Sequence, residues 1–163
     1  VHCSATREDC TLSPEDLDWL HRRRGFNGTG YHYYIRKDGT VHLTRPLERI
    51  GAHAKGFNAH SIGICYEGGL DCRGRPADTR TPEQRAALRL LVHQLLEKFP
   101  DCRVCGHRDL SPDKNGNGEI EPEEWMKACP CFDAEEEFKE LVAEGTVETQ
   151  SKLNYLKNEK GGK

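Results

Sequence analysis

Apolar residues recur at helical spacing in some stretches of this chain and alternate or run together in others, and the two periods divide it into elements. Between Pro82 and Phe99 the residues Leu88, Leu91, Val92, Leu95, Leu96 and Phe99 follow a 3.6-residue period. Thr81-Pro82-Glu83-Gln84 ahead of them is a capping box with proline at the first helical position, and Pro100 stops the run. This is the clearest helix, and His93, on or near its apolar face, reads as structural. An earlier helix opens at Ser13-Pro14-Glu15-Asp16, turns Leu17, Leu20 and Trp19 toward a core, and ends at Gly25. Arg22 to Arg24 complement its dipole, a use that explains this charge run better than a binding patch does. A third runs from Asp133 to Gly145 with Phe138, Leu141 and Val142 inward.

The strand-like stretches are shorter. Tyr31 to Arg36 and Thr40 to Thr44 flank Asp38-Gly39, a pair that supplies the positive φ angles of a hairpin turn. Strict alternation puts Tyr31, Tyr33 and Ile35 on one face and His32 and Tyr34 on the other. Ser61 to Glu67, mostly apolar and closed by Gly68-Gly69, fits a central strand. Cys102 to His107 reads as another strand, Val1 to Cys3 as the tail of a first one, and Glu121 to Lys127 as a turn or two of helix. Gly51 to Asn58 is too irregular for a helix and too polar for a buried strand, so it is a surface loop. Helices interleaved with strands and a hairpin predict an α/β fold, a mixed central β-sheet flanked by helices in a single domain over residues 1–145. The upstream part of the first strand is expected to be missing, and the polar residues 146–163 are expected to form a loose tail.

Composition narrows the classes. At 163 residues one domain buries a core without staples. With 24 Lys and Arg against 27 Asp and Glu there is no broad basic surface, so neither nucleic acid nor membrane is an expected partner, and a monomer is expected. No apolar run approaches the ~20 residues of a membrane span, and no secretory signal opens the chain. Eight cysteines are too dilute for a disulfide scaffold, so mostly reduced thiols are expected.

Cysteine and histidine placement adds chemistry. The segment from Gly106 to Asp133 holds His107, Lys127 and the thiols Cys129 and Cys131, residue types that hold zinc and use it. A catalytic zinc takes three protein ligands and leaves one position to water, and His2 is the candidate to complete the set. Cys102 and Cys105 with Cys129 and Cys131 offer the other reading, a closed four-thiolate structural site. The same segment carries Asp113-Lys114-Asn115-Gly116-Asn117-Gly118-Glu119-Ile120-Glu121-Pro122-Glu123-Glu124, which satisfies the calcium-loop pattern. Asp113, Asn115, Asn117, the Glu119 carbonyl, Glu121 and Glu124 would be the calcium ligands. An Asn-Gly turn leading into a capped helix explains these residues equally well.

Several signatures occur in one order: Val1-His2-Cys3-Ser4-Ala5-Thr6, Gly30-Tyr31-His32 with Lys37-Asp38-Gly39-Thr40-Val41 behind it, Gly51-Ala52-His53-Ala54-Lys55-Gly56-Phe57-Asn58, Ser61-Ile62-Gly63-Ile64-Cys65, Gly106-His107-Arg108-Asp109 and Lys127-Ala128-Cys129-Pro130-Cys131-Phe132-Asp133. In this arrangement, from Val1 to about Phe138, the chain resembles the type-2 N-acetylmuramoyl-L-alanine amidases, the phage lysozyme-type amidases most of all. Peptidoglycan recognition proteins share that fold. The resemblance implies zinc on His2, His107 and Cys129, Tyr31 and Lys127 as catalytic groups, and His53, Lys55 and Asn58 as a substrate loop. It implies cleavage of the amide between N-acetylmuramic acid and L-alanine, with peptidoglycan as partner and the cell wall as place of action. A binding module of the same fold that does not cut peptidoglycan is the alternative. Arg108 and Asp109 are expected to orient His107.

Overall fold

The computed structural model of the chain describes residues 1–143. The helix end expected at Gly145 and the tail expected over 146–163 lie outside the described residues. Short strands β1 (His2–Cys3), β3 (Tyr33–Ile35), β4 (Val41–Leu43) and β5 (Ile64–Tyr66) form one sheet in the order β1-β5-β3-β4. Only β4 runs antiparallel, so the sheet is mixed as expected, with β5 central and His2 opposite Cys65. A second, two-stranded ribbon pairs β2 (Thr6–Arg7) with β6 (Gly69–Leu70).

Helices cover both faces. Helix α1 (Pro14–Arg23) is capped by the Ser13 hydroxyl, and α2 (Pro82–Lys98) carries the full capping box between Thr81 and Gln84. Leu88, Leu91, Val92 and Leu96 of α2 meet Ile35, Ile64 and Tyr66 in the main core, together with Phe132, Phe138 and Leu141. Residues 134–143 form helix α3, whose first turn is capped by Asp133. The other face holds Leu17, Tyr34 and Cys65, with Tyr31 packed against them.

Local details differ from the pattern-based expectation. In α1 the buried residues are Leu17 and His21, one turn apart, while Leu20 and Trp19 are exposed. His21 is inward because its Nδ1 accepts the Gly30 N–H at 2.9 Å, and Trp19 is covered by the Arg23 guanidinium. The hairpin turn spans three residues, closed by Arg36 N–H to the Thr40 carbonyl, so Gly39 alone takes positive φ. His93 is half-exposed beside Glu97 rather than packed in the core. Residues 102–107 form no strand; Cys105 and His107 bond to the backbone of Val1. The helical turn expected over 121–127 is a 3-10 turn at Pro122–Glu124.

The face assignment of Tyr31 also changes. His32 and Tyr33 both donate backbone N–H to the Gly63 carbonyl, which inserts one residue and resets the alternation before β3 begins. Tyr31 therefore lies on the Tyr34 face, away from Tyr33 and Ile35. Cys3 points into the main core, so its neighbour His2 points to that same Tyr31 side.

Candidate metal centre

Three chain segments converge at the open end of β1. His2 comes from the strand itself, His107 from the start of a 3-10 turn whose N–H bonds to Val1, and Cys129 from the loop before α3. Donor atoms of these three residues lie within 4.8 Å of one another, and Cys129 Sγ is 3.9 Å from His2 Nδ1. The His2 and His107 ring centroids are 4.8 Å apart in an edge-on arrangement.

Backbone bonds hold the segments of His107 and Cys129 together. Arg108 donates its N–H to the Cys129 carbonyl at 2.8 Å, and the Asp109 carboxylate accepts the Gly106 N–H at 2.6 Å. His107 is thus fixed from both sides. Arg108 also reaches Asp133 and lies over the Trp125 ring. Gly106 has no side chain because a Cβ there would meet Pro130 Cδ at 2.4 Å. The Tyr66 hydroxyl donates to the Pro130 carbonyl at 2.6 Å, which fastens the loop of Cys129 to the central strand. Nothing in the local pattern around Tyr66 marks that role; the pairing spans more than sixty residues.

The protonation states suit a metal. Burial pushes the imidazole of His2 well below its ordinary value and His107 below it as well, with the Lys127 ammonium adding to both. Cys129 is lowered, chiefly by a hydrogen bond from the Cys3 thiol, against burial that works the other way. The Cys3 backbone N–H also donates to Cys129 Sγ at 3.2 Å. Two neutral imidazoles and a sulfur inclined to ionise are a donor set that zinc favours. Among the described residues this is the only cluster of three or more His, Cys, Asp or Glu able to hold an ion.

That excludes the four-thiolate reading: Cys102 is exposed, Cys105 does not join the group, and all eight cysteines are free thiols. Cys131 Sγ turns to the Gly69 carbonyl and to Cys3 Sγ, away from the histidines. The calcium expectation finds no support. Asp113 accepts the Gly116 and Gly118 N–H groups, and Glu124 accepts those of Lys114, Asn115 and Glu121. Asn115 donates to Glu121, Asn117 accepts from Glu119, and the loop is closed by its own amides.

Around the cluster, Tyr31 places its ring 5.2 Å from His2, and burial pushes its hydroxyl well above the ordinary value, so it remains a donor. Lys127 is exposed at the rim. In the expected substrate loop, Asn58 Oδ1 accepts the His53 and Ala54 N–H groups at 2.8 Å, Lys55 is exposed, and His53 Nδ1 lies 3.0 Å from His2 Nε2. A cavity of about 460 Å³ touches His2, His53 and His107. Its other walls include Val92, Leu95 and Leu96 of α2 and Phe99 just beyond it, an apolar side faced by Asp101 and Arg103.

Comparison with known proteins adds a family. Residues 1–131 match the sequence profile described as N-acetylmuramoyl-L-alanine amidase. The endolysin of Enterobacteria phage K11 is 36% identical over 144 residues, covering 87% of this chain and 86% of the endolysin. An uncharacterised Haemophilus influenzae protein is 48% identical over 96 residues, 59% of this chain and 83% of that one. Among solved structures, the N-acetylmuramoyl-L-alanine amidase LysC from Clostridium intestinale superposes with a TM-score of 0.60 at 30% identity, covering 88% of this chain and 80% of LysC. Drosophila PGRP-LB gives 0.60 at 25% identity, over 84% and 75% of the two chains.

Proposed function

The chain belongs to the N-acetylmuramoyl-L-alanine amidase family, and we propose that it is a zinc-dependent peptidoglycan hydrolase that cuts the amide joining the lactyl group of N-acetylmuramic acid to L-alanine. The observation that carries this reading is the convergence of His2, His107 and Cys129 with Tyr31 beside them. Zinc held by the three would supply a Lewis acid and acidify a water at the position the protein leaves open. The reaction adds water across the amide, leaving a lactyl carboxylate on the sugar and a free amino group on the stem peptide.

The chain's own groups do the rest. As the scissile carbonyl becomes tetrahedral its oxygen gains charge, and the protonated Tyr31 hydroxyl donates to that oxygen or holds the attacking water in line. Lys127, at the rim, balances the same charge with its ammonium. Lys55 and the amide of Asn58 offer the loop's grip on glycan or stem peptide, and His53 belongs to the same wall. No helix among the described residues is long and apolar enough to cross a membrane, and the cell wall is the proposed place of action.

Incubating the purified protein with peptidoglycan tests the reading. New L-alanine amino termini are expected with zinc, none after chelation, and recovery when zinc is returned. Protein that sediments with peptidoglycan yet releases no termini in any of these states would be the binding module instead. Tyr31→Phe is expected to lower the rate about 100-fold with zinc content unchanged, the scale of one lost donor to a developing oxyanion. A rate within threefold of the parent protein would remove Tyr31 from the chemistry.

A further inference from the structure

We infer that His53 is a positioning residue for His2: it fixes which nitrogen of the His2 ring is free for a metal, and this inference rests on the zinc reading above. The geometry carries it. His2 turns Nδ1 toward Cys129 Sγ at 3.9 Å and Nε2 toward His53 Nδ1 at 3.0 Å. A nitrogen that gives its lone pair to a metal carries no proton, so the single proton of the neutral His2 ring sits on Nε2. That N–H donates to His53 Nδ1, which must then be bare, and the proton of His53 moves to its own Nε2. The His53 acceptor at Nε2 and the position of Nδ1 toward Cys129 thereby call for the same tautomer of His2.

His53 is held for this task. Its ring lies between Gly51 and Gly63, where a Cβ on either glycine would come within 2.5 Å of the ring carbon Cδ2. Only a residue without a side chain fits at either position. Asn58 Oδ1 pins the His53 backbone N–H, and Ala52 N–H donates to the Gly30 carbonyl. The Nε2 of His53 is enclosed on the side of the Ser61 backbone, outside hydrogen-bonding geometry. A ring wedged this way cannot swing out to follow a substrate, whereas it can hold a neighbour still. Partners of this kind on metal-ligating histidines govern ring orientation and basicity.

The first test needs neither activity nor metal: 15N-resolved NMR of the histidine rings in metal-free protein. Protons on Nε2 of both His2 and His53 are expected; an Nδ1 proton on either ring overturns the inference. The second measures zinc affinity by chelator competition in His53→Phe, which keeps a ring but loses the acceptor, and His53→Asn, whose amide oxygen restores one. Affinity is expected to fall about 10-fold to 100-fold in His53→Phe and to recover to within about threefold of the parent in His53→Asn. Equal affinity in parent and His53→Phe, or equal loss in both variants, overturns it. Should His53→Phe not fold, the NMR experiment on the parent decides alone. Failure of the parent itself to bind zinc would defeat the proposed function, which separates that failure from this one.

Discussion

Cys129→Ser is expected to leave the purified protein without zinc and to lower amide cleavage by at least about 1000-fold. A bound Lewis acid contributes several kcal/mol to such a reaction, and ~1.4 kcal/mol corresponds to a decade in rate. The sulfur matters as well as its position. Cys129 receives the Cys3 backbone N–H at 3.2 Å and is lowered chiefly by the Cys3 thiol, two contacts that favour the ionised form. A serine hydroxyl at the same place keeps its proton near neutral pH and offers a poor third bond. Cys131→Ser is the control two residues away. Its sulfur faces the Gly69 carbonyl at 3.3 Å, so zinc content and rate are expected to stay near the parent values. Metal analysis of both variants decides the matter: zinc retained in Cys129→Ser and lost in Cys131→Ser would reverse the ligand assignment.

What could be read from the chain alone tracks the range of the interactions involved. Helix α2 is a local object, with a capping box at Thr81 and Gln84 and a regular apolar stripe, and both are written within a few residues. His2, His107 and Cys129 stand in ordered signatures, each local, and the fold brings their side chains together. Features that depend on distant pairing were missed. The face of Tyr31 is reset by the Gly63 carbonyl receiving two N–H groups, a contact invisible in the alternation of Tyr31 to Ile35. The His2 to His53 contact crosses 51 positions, so His53 reads as part of a polar loop and, by the resemblance, as a substrate residue, with nothing to join it to His2. The calcium-loop pattern is the opposite case. Each position from Asp113 to Glu124 satisfied a local rule, yet the same carboxylates and amides also satisfy one another, and a short-range pattern cannot separate those outcomes.

Arg80→Met is expected to cost roughly 3 kcal/mol of stability and, for a chain of this length, to lower the melting temperature by roughly 10 °C. The side chain of Arg80 is fully buried, and its partners Asp78 and Glu137 are 24% and 30% exposed. Burial opposes its charge, but the hydrogen bonds it donates to both carboxylates hold the guanidinium above its ordinary value. Each carboxylate is gripped by two nitrogens, and the guanidinium carbon stands 3.2 Å from the centre of the Phe132 ring. One side chain therefore ties the entry to α2 to α3 and presses on the residue three places after Cys129. Methionine preserves apolar volume against Phe132 but leaves Glu137 without its cation and Asp78 with only the half-exposed Arg85. The partial exposure of those carboxylates lets water relieve some of the loss, which is why the expected cost lies at the low end for a broken buried pair. Arg7→Ala gives the comparison, because its pair with Asp9 is about half exposed and such pairs contribute less than ~1 kcal/mol. Thermal melting of the two variants in metal-free buffer separates them. If Arg80→Met melts within ~2 °C of Arg7→Ala, less than about 1 kcal/mol for a domain of this size, the buried guanidinium is not what binds α2 to α3. The loop carrying Cys129 would then be held from this side by Phe132 and the Tyr66 hydroxyl alone.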